Sequence, residues 1–175
     1  MYNALTYELR PAHVEQTQLL LRERGRVSRE GYVVWVGERT DHGIVRDVWR
    51  VAAEGDGAHA AVSFDDVLAL GERVHRAGWR VLAQAHSHPG DAFHSSIDDR
   101  HPVSHQVGFI SIVVPNFAFG VAGEGWAYHE HLGRGRWRRL TDEEVRKRFI
   151  VSGGKEMWWK RLHSVITGRL FSSAR

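Results

Sequence analysis

The sequence predicts a mixed α/β fold in which a β-sheet of mixed strand direction is sandwiched by helices. Short runs of β-branched and aromatic residues, typical of buried strands, recur along the chain. Segments with helix-capping signals lie between these runs, and some neighbouring strands are separated only by turns. At 175 residues the chain is long enough for one domain with a proper core. We assign residues 1–152 to this domain and residues 153–175 to a C-terminal helical extension.

Two helices and three strands are predicted in the first half of the chain. A helix over residues 11–24 has a proline in its first turn and Gly25 after its last residue, which are common start and stop signals. A helix over residues 64–77 follows Ser63, whose hydroxyl can accept a hydrogen bond from the first turn. Apolar runs predict the strands, which cover residues 5–9, 32–36 and 44–51.

The second half of the chain continues this mixture of elements. The Thr141-Asp142-Glu143-Glu144 segment has the capping-box pattern and opens a helix that we extend to about Val151. Apolar residues at helical spacing follow Gly153-Gly154 and predict the helical extension. Two buried strands and a final hairpin are also predicted, over residues 79–85, 109–114, and 125–132 with 134–140.

The composition excludes several classes of protein. Hydrophobic residues make up 42% of the chain and charged residues 26%, which is ordinary for a soluble globular domain. The chain has no apolar run of about 18 residues and no signal-peptide layout at its start, so we expect a cytoplasmic protein without a membrane segment. Cysteine is absent, so only His, Asp and Glu side chains are left to bind a transition metal. A net charge of +3 gives little long-range attraction to phosphates, and we do not expect a nucleic-acid partner.

The most informative segment is the His-Ser-His-Pro sequence at residues 86–89. His86 and His88 lie at the end of a predicted strand, where residues two positions apart point to the same side. Both imidazoles can therefore reach one metal ion. A second pair of the same form, His129 and His131, lacks the following proline, and we expect it to be a surface strand pair.

A hydroxyl and a carboxylate follow the first histidine pair at a defined spacing. Ser96 and Asp99 lie eight and eleven residues after His88, and either Ser96 or the serine before it can cap a short helix. Two imidazoles, one carboxylate and a water molecule form the four-coordinate site of hydrolytic zinc enzymes. The spacing therefore predicts a single zinc ion, with Ser96 as a hydrogen-bond donor nearby. Asp98 is the alternative carboxylate, and the Ser-x-x-Asp count favours Asp99.

Other polar residues lie close to this motif in sequence. They are either outer partners that fix the tautomer of a metal ligand or solvated loop residues, and we favour the second interpretation. These residues are Asp91, His94, His101 and His105.

The motifs resemble the JAMM signature of the JAB/MPN (Mov34/MPN/PAD-1) metalloproteases. The resemblance lies in the segments His86-Ser87-His88-Pro89 and Ser96-Ile97-Asp98-Asp99, and it extends over roughly residues 27–120. The family also has an early glutamate in the pattern Glu-x-x-Gly-x-Leu-x-Gly, which the segment from Glu30 to Gly37 matches at its first and last positions. The segment has valine where the family often has glycine, and tryptophan where it has leucine. The resemblance implies the family's cytidine deaminase-like architecture.

The resemblance also assigns roles to individual residues. The zinc ligands would be His86, His88 and Asp99. Glu30 would take a proton from zinc-bound water and pass it to the leaving amine, and Ser96 would donate a hydrogen bond to the developing oxyanion. Glu38 also borders the predicted strand and is an alternative base, although the strand register favours Glu30.

The function implied by the resemblance is proteolytic. Members of the family cleave peptide or isopeptide bonds that follow the C-terminal glycine of ubiquitin-like proteins. The resemblance therefore implies a zinc-dependent isopeptidase or peptidase that acts on a ubiquitin-like protein or its conjugate. Small bacterial members occur in conjugation systems of antiphage defence, which makes E1/E2-like proteins possible partners.

Two other functions are compatible with parts of the sequence. A non-catalytic MPN scaffold subunit would share the fold, although such proteins usually lose ligands that this chain keeps. A DNA-associated protein of the RadC type would use the arginines between residues 134 and 148. Those relatives carry asparagine between the two histidines, whereas this chain has Ser87. We expect the arginines to form a solvated face.

Overall fold

The computed structural model describes residues 5–40, 42–52 and 62–152, which form an eight-stranded sheet and four α-helices. The strands are β1 (Tyr7–Leu9), β2 (Tyr32–Arg39), β3 (Gly43–Arg50), β4 (Arg80–Ser87), β5 (Ile110–Val114), β6 (Ala127–Gly133), β7 (Arg136–Arg139) and β8 (Phe149–Val151). The helices are α1 (Pro11–Gly25), α2 (Phe64–Arg76), α3 (Ser96–Arg100) and α4 (Asp142–Arg148). No helix within the described ranges has the length and apolar character needed to span a membrane.

The sheet is mixed and runs in the order β7-β6-β5-β4-β2-β3-β1-β8. Strand β2 pairs antiparallel with both β3 and β4, whereas β4 pairs parallel with β5. The sheet also curls. Tyr128 of β6 and Phe149 of β8 come from strands far apart in the sheet order, yet their rings lie 4.9 Å from each other. The predicted sheet of mixed strand direction is therefore confirmed.

Helices cover both faces of the sheet, as the sequence predicts. Val14 and Leu21 of α1 belong to the larger core cluster, which also contains the rings of Trp35 and Tyr128. On the other face, the apolar side chains of α2 pack with Tyr32, Val34 and Val36 of β2. Strand β2 alternates between the two clusters and is buried on both sides, which explains its continuous apolar sequence.

The start of β2 lies very close to α1, and this contact fixes where the preceding residue, Glu30, is held. A Cβ atom at Gly31 would lie only 3.0 Å from the backbone of Leu21. The indole N–H of Trp35 also donates to the hydroxyl of Thr17 on α1, at 2.9 Å. Both contacts anchor the helix to β2 just downstream of the glutamate that the sequence analysis selects.

The predicted helices and strands agree with the structure, and the differences lie at their ends. The helix predicted to extend to about Val151 ends at Arg148, and the next three residues form β8. Phe149 and Val151 are buried and Ile150 is 44% exposed, so the period of two outweighs the helical signal. The first strand is also shorter than predicted. The proposed C-terminal extension over residues 153–175 lies outside the described residues.

Two glycine-to-alanine substitutions test separately how packing and backbone entropy affect the stability of the fold. A methyl group at Gly37 would overlap the carbonyl oxygen of Ile44 across the β2–β3 pair, so we expect Gly37→Ala to destabilise the fold by about 1–3 kcal/mol. Gly71 lies inside α2 with open space around it, so Gly71→Ala should stabilise by about 0.5–1 kcal/mol. Urea unfolding of both variants measures the two effects, and a destabilised Gly71→Ala protein would contradict the second expectation.

Candidate metal centre

The two histidines of the His-x-His pair lie where β4 ends, in the middle of the sheet. His86 is paired with Tyr32 of β2 on one side and with Val113 of β5 on the other. The ring of His86 stacks on that of Tyr32, with centroids 5.9 Å apart. The backbone N–H of His88 donates to the carbonyl of Val114 at 2.9 Å. Both imidazoles are buried, with 1% and 4% of their residues' surface exposed, so neighbouring strands hold both rings in place.

A carboxylate from α3 completes a compact group with these two rings. The Oδ1 and Oδ2 atoms of Asp98 lie 3.2 Å from Nε2 of His86 and 3.3 Å from Nε2 of His88, respectively. The two Nε2 atoms are themselves 3.2 Å apart. These are the three residues of the described chain whose ligand atoms cluster closely enough to hold a metal ion together.

The donor set and its spacing fit a tetrahedral zinc ion. Zinc in hydrolytic sites is bound by imidazole nitrogens and carboxylate oxygens at about 2.0–2.2 Å, and tetrahedral angles then place the ligands about 3.3–3.5 Å apart. The distances of 3.2–3.3 Å among the three side chains are close to this value. The group thus has the ligands and spacing for three positions and leaves a fourth for water or substrate.

The electrostatics of Asp98 suit a ligand of a cation. Burial acts to raise the pKa of this carboxyl, but hydrogen bonds with His86, His88 and the backbone N–H of Ser95 outweigh it. The pKa of Asp98 therefore lies well below its usual range. The side chain is consequently ionised at neutral pH although only 9% of it is exposed.

Of the two adjacent aspartates, the structure places Asp98 within contact distance of the two rings. Asp99, predicted as the third ligand, lies instead with its Oδ1 2.7 Å from Nδ1 of His94, so Asp98, the alternative from the sequence, is the better-placed carboxylate. Ser96 is exposed at the start of α3. The serine beside the carboxylate of the group is Ser95, whose backbone N–H donates to Oδ2 of Asp98 at 2.6 Å.

The sequence itself shows why the two aspartates are hard to separate. The segment Ser95-Ser96-Ile97-Asp98-Asp99 contains the Ser-x-x-Asp pattern twice, one residue apart. The structure uses the first copy, because Ser95 Oγ accepts the N–H of Asp98 at 3.3 Å and forms a reciprocal cap at the start of the helix. Capping chemistry could have distinguished the two copies, since only one serine can precede the first helical residue.

Glu30 is brought to the metal group by the pairing of β2 with β4. Gly31 donates its N–H to Ser87 Oγ at 2.9 Å and accepts the N–H of Ser87 at 3.1 Å. Continuing this antiparallel register by one residue places Glu30 opposite His88. Glu30 is 7% exposed and is not part of the three-ligand group, which is the arrangement expected of a base beside a metal.

The alternative base is excluded by its position. Glu38 lies near the far end of β2, where it pairs with Ile44 of β3. Its carboxylate forms an exposed ion pair with Arg46 at 2.8 Å. Because the candidate metal group lies beyond the opposite end of β2, Glu38 cannot serve it.

His94 is buried rather than solvated, so the interpretation that we favoured from the sequence is wrong for this position. Its side chain is 5% exposed, and its ring lies 4.8 Å from that of His129 and 4.7 Å from that of Trp137. Burial lowers the pKa of His94, although Asp99 opposes the shift. By contrast, Asp91, His101 and His105 are exposed, as the favoured interpretation expects.

The second His-x-His pair is also buried, so its prediction as a surface pair is wrong. His129 is 6% exposed and His131 is 1% exposed. Nδ1 of His131 lies 3.3 Å from the carbonyl oxygen of Gln106, and its ring packs on Trp137. Desolvation lowers the pKa of His129 to about 3, with His94 contributing in the same direction. The pair lines the interior beside the metal group.

A separate pocket of about 530 Å³ opens on the opposite face of the sheet. Trp126, Tyr128 and Val145 are among its lining residues, and it shares none with the His-His-Asp group. The chemistry-bearing residues therefore lie outside this pocket. The fold and the site together define the class of the molecule, which is a mixed α/β protein with a buried group able to hold a metal ion.

Sequence comparison with known proteins identifies a related family. No protein-family model matches the chain. The chain is 36% identical over 110 residues to the probable metalloprotease y4jG of Sinorhizobium fredii (strain NBRC 101917 / NGR234), and the match covers 60% of this chain and 68% of that protein. The chain belongs to the family of this metalloprotease and is therefore an enzyme.

Solved structures share the fold at low sequence identity. Protein DSY2949 from Desulfitobacterium hafniense superposes with a TM-score of 0.63 at 15% identity, covering 83% of this chain and 92% of that one. A protein from Salinibacter ruber (strain DSM 13855) superposes with a TM-score of 0.54 at 20% identity, covering 87% and 94% of the two chains. At these identities the likeness concerns the fold alone.

The low pKa of His129 predicts an acid-sensitive fold. An unfolded histidine binds a proton near pH 6.5, whereas folded His129 does so only near pH 3. Between these values the unfolded chain binds more protons, so this contribution to stability is complete above pH 6.5 and is lost as the pH falls towards 3. We expect His129→Gln to show a smaller loss of stability than the wild type between pH 7 and 4.

Urea unfolding at several pH values, with a chelator present in every sample, measures this difference without a contribution from metal. The exposed residue His101 supplies the control, and His101→Gln should follow the wild-type pH profile. Equal slopes for His129→Gln and the wild type would show that His129 does not carry the effect.

Proposed function

We propose that the protein is a zinc-dependent protease of the JAB/MPN type that hydrolyses the bond after the C-terminal glycine of a ubiquitin-like protein. The observation that carries the proposal is the close group formed by the side chains of His86, His88 and Asp98, with a buried glutamate next in register. The metalloprotease relative supports hydrolysis. The JAMM-like motif supports the finer substrate class.

The proposed chemistry divides between the metal and the side chains of this chain. A bound zinc ion would supply a water of lowered pKa and polarise the substrate carbonyl. Glu30 would accept the proton of the attacking water and deliver it to the departing nitrogen as the carbon–nitrogen bond breaks. We transfer the donation of a hydrogen bond to the oxyanion from Ser96 to Ser95, because Ser95 contacts Asp98 whereas Ser96 is exposed.

The surroundings of the site suit an extended substrate tail. The segment between Pro89 and Ser95 has no helix or strand, and Phe93 on it is 56% exposed while its ring packs edge-on against His88 at 4.9 Å. A glycine-terminated tail has no side chains at the last positions and would pass close to this aromatic edge. We propose Phe93 as the apolar contact for the residues before the glycine.

We further propose that the protein acts in a cytoplasmic bacterial conjugation system, in the setting of antiphage defence and with E1/E2-like proteins as partners.

Zinc binding and cleavage activity distinguish the proposed protease from a scaffold subunit. A scaffold subunit need not bind zinc at all, and it would not cleave a ubiquitin-like fusion. A DNA-associated protein would instead show salt-dependent DNA binding.

Metal content tests the choice of aspartate directly. We expect purified protein reconstituted with zinc and desalted to hold close to one zinc per chain by elemental analysis, and Asp98→Asn to lose most of it because a ligand charge is removed. Asp91→Asn changes an exposed aspartate of the loop that precedes α3, and this variant should keep its zinc. Full zinc retention by Asp98→Asn would overturn the assignment of this ligand.

Activity tests the role of Glu30 separately from metal binding. We expect Glu30→Gln to retain zinc but to cleave a ubiquitin-like protein with a peptide fused after its terminal glycine about 10²–10⁴-fold more slowly, because the general base is lost. Glu38→Gln is the matched control and should cleave at the wild-type rate. A zinc-loaded wild type that cleaves no fusion or isopeptide conjugate of any candidate ubiquitin-like protein would refute the proposed substrate class.

A further inference from the structure

Two adjacent aspartates of α3 make different contacts. Asp98 faces the two histidines, whereas Asp99 faces His94, with Oδ1 2.7 Å from Nδ1. A carboxylate can only accept, so Nδ1 of His94 carries the proton and donates it in this hydrogen bond. The side chain of His94 is 5% exposed and that of Asp99 is 41% exposed, so a buried imidazole holds a carboxylate at the protein surface.

His94 is itself fixed by the sheet. Its ring is packed against His129 of β6 and Trp137 of β7, with centroids 4.8 Å and 4.7 Å away. The indole Nε1 of Trp137 also lies 3.5 Å from the carbonyl oxygen of Asp99, the limit of a hydrogen bond. Both contacts connect α3 to the β6–β7 hairpin.

The helix that carries Asp98 is too short to hold its own position. It has five residues, and isolated helices of this length are unstable in water. The reciprocal cap between Ser95 and Asp98 fixes its first turn but does not attach the helix to the sheet. Attachment comes from contacts such as the one between Asp99 and His94.

We propose that His94 is a positioning residue that acts through Asp99 to hold α3 against the sheet, so that Asp98 reaches the metal. The inference rests on the proposed metal-binding role of the His-His-Asp group. It assigns separate tasks to the two aspartates, with Asp98 binding the metal and Asp99 anchoring the helix. Neither His94 nor Asp99 would touch the metal or the substrate.

The experiment is a comparison of zinc affinity among four variants of the full chain. His94→Ala and Asp99→Ala remove the hydrogen bond, and we expect each to raise the Kd for zinc about 10–100-fold, the usual effect of losing an outer partner of a metal site. His94→Asn keeps a donor near the Nδ1 position and Asp99→Asn keeps an oxygen acceptor. Both conservative variants should recover most of the affinity, measured by competition with a chromophoric chelator.

Cobalt spectroscopy distinguishes positioning from ligation. The Co²⁺-substituted Asp99→Ala protein should show the ligand-field bands of the wild type, because its ligands are unchanged, whereas Asp98→Asn should not. The double variant should lose no more affinity than either alanine variant alone, because one hydrogen bond carries both effects. Circular dichroism and urea unfolding in chelator identify any variant whose loss of affinity reflects unfolding, and the asparagine variants then carry the test.

The possible failures are distinct. Wild-type zinc affinity in both alanine variants would overturn the positioning role and leave the metal site intact. Altered cobalt bands in Asp99→Ala would also overturn it, since Asp99 would then be a ligand. A wild-type protein that binds no zinc would overturn the proposed function, and the positioning role with it.

Discussion

The pairing of β2 with β4 is the contact on which the candidate centre depends. Residues 56 positions apart in sequence, Gly31 and Ser87, exchange hydrogen bonds through both backbone and hydroxyl. This exchange fixes Glu30 relative to His88, since a slip of one residue in the pairing would move every side chain of the strand to the opposite face. The close approach of α1 at Gly31 leaves no space for a side chain there. Glu30 and the two histidines are therefore positioned by a buried part of the sheet.

The third ligand is held in a different way. His86 and His88 belong to the sheet, but Asp98 belongs to a five-residue helix. Its position results from local capping and from side-chain contacts with β6 and β7. The loop from Pro89 to Ser95 that joins the two parts of the site also carries the exposed ring of Phe93. The carboxylate of the group is therefore held by smaller elements than the two histidines are.

Sequence analysis predicts what depends on local pattern and fails where tertiary contacts decide. Apolar runs predict β2, β4 and β5, because strands buried on both faces leave a continuous signal. The sequence does not separate Asp98 from Asp99, because both satisfy the same spacing and the cap at Ser95 is what places Asp98 beside the histidines. The polar residues of β6 predict an exposed face for His131. The sequence does not reveal its burial, because the ring that covers it belongs to Trp137 of another strand.

In the arginine-rich end of the domain, too, the sequence pattern does not reveal which side chains are buried. Glu130 is 4% exposed and bonds to Arg148 at 2.8 Å through one oxygen and to Arg138 at 2.7 Å through the other. Arg148 is 5% exposed and also donates to the carbonyl of Leu5. A buried carboxylate requires such partners. At least these two arginines therefore stabilise the interior instead of forming the solvated face that the sequence predicts.

Burial of the neighbouring histidines determines the charge balance around the metal group. A divalent cation bound there would meet the carboxylate of Asp98 in a region of low exposure. Positive charge on the neighbouring imidazoles would oppose the cation. Burial lowers the pKa of His94 and brings that of His129 to about 3, so both rings are neutral at pH 7. The histidine-rich surroundings thus supply packing and one hydrogen bond to Asp99 without adding charge that competes with the metal.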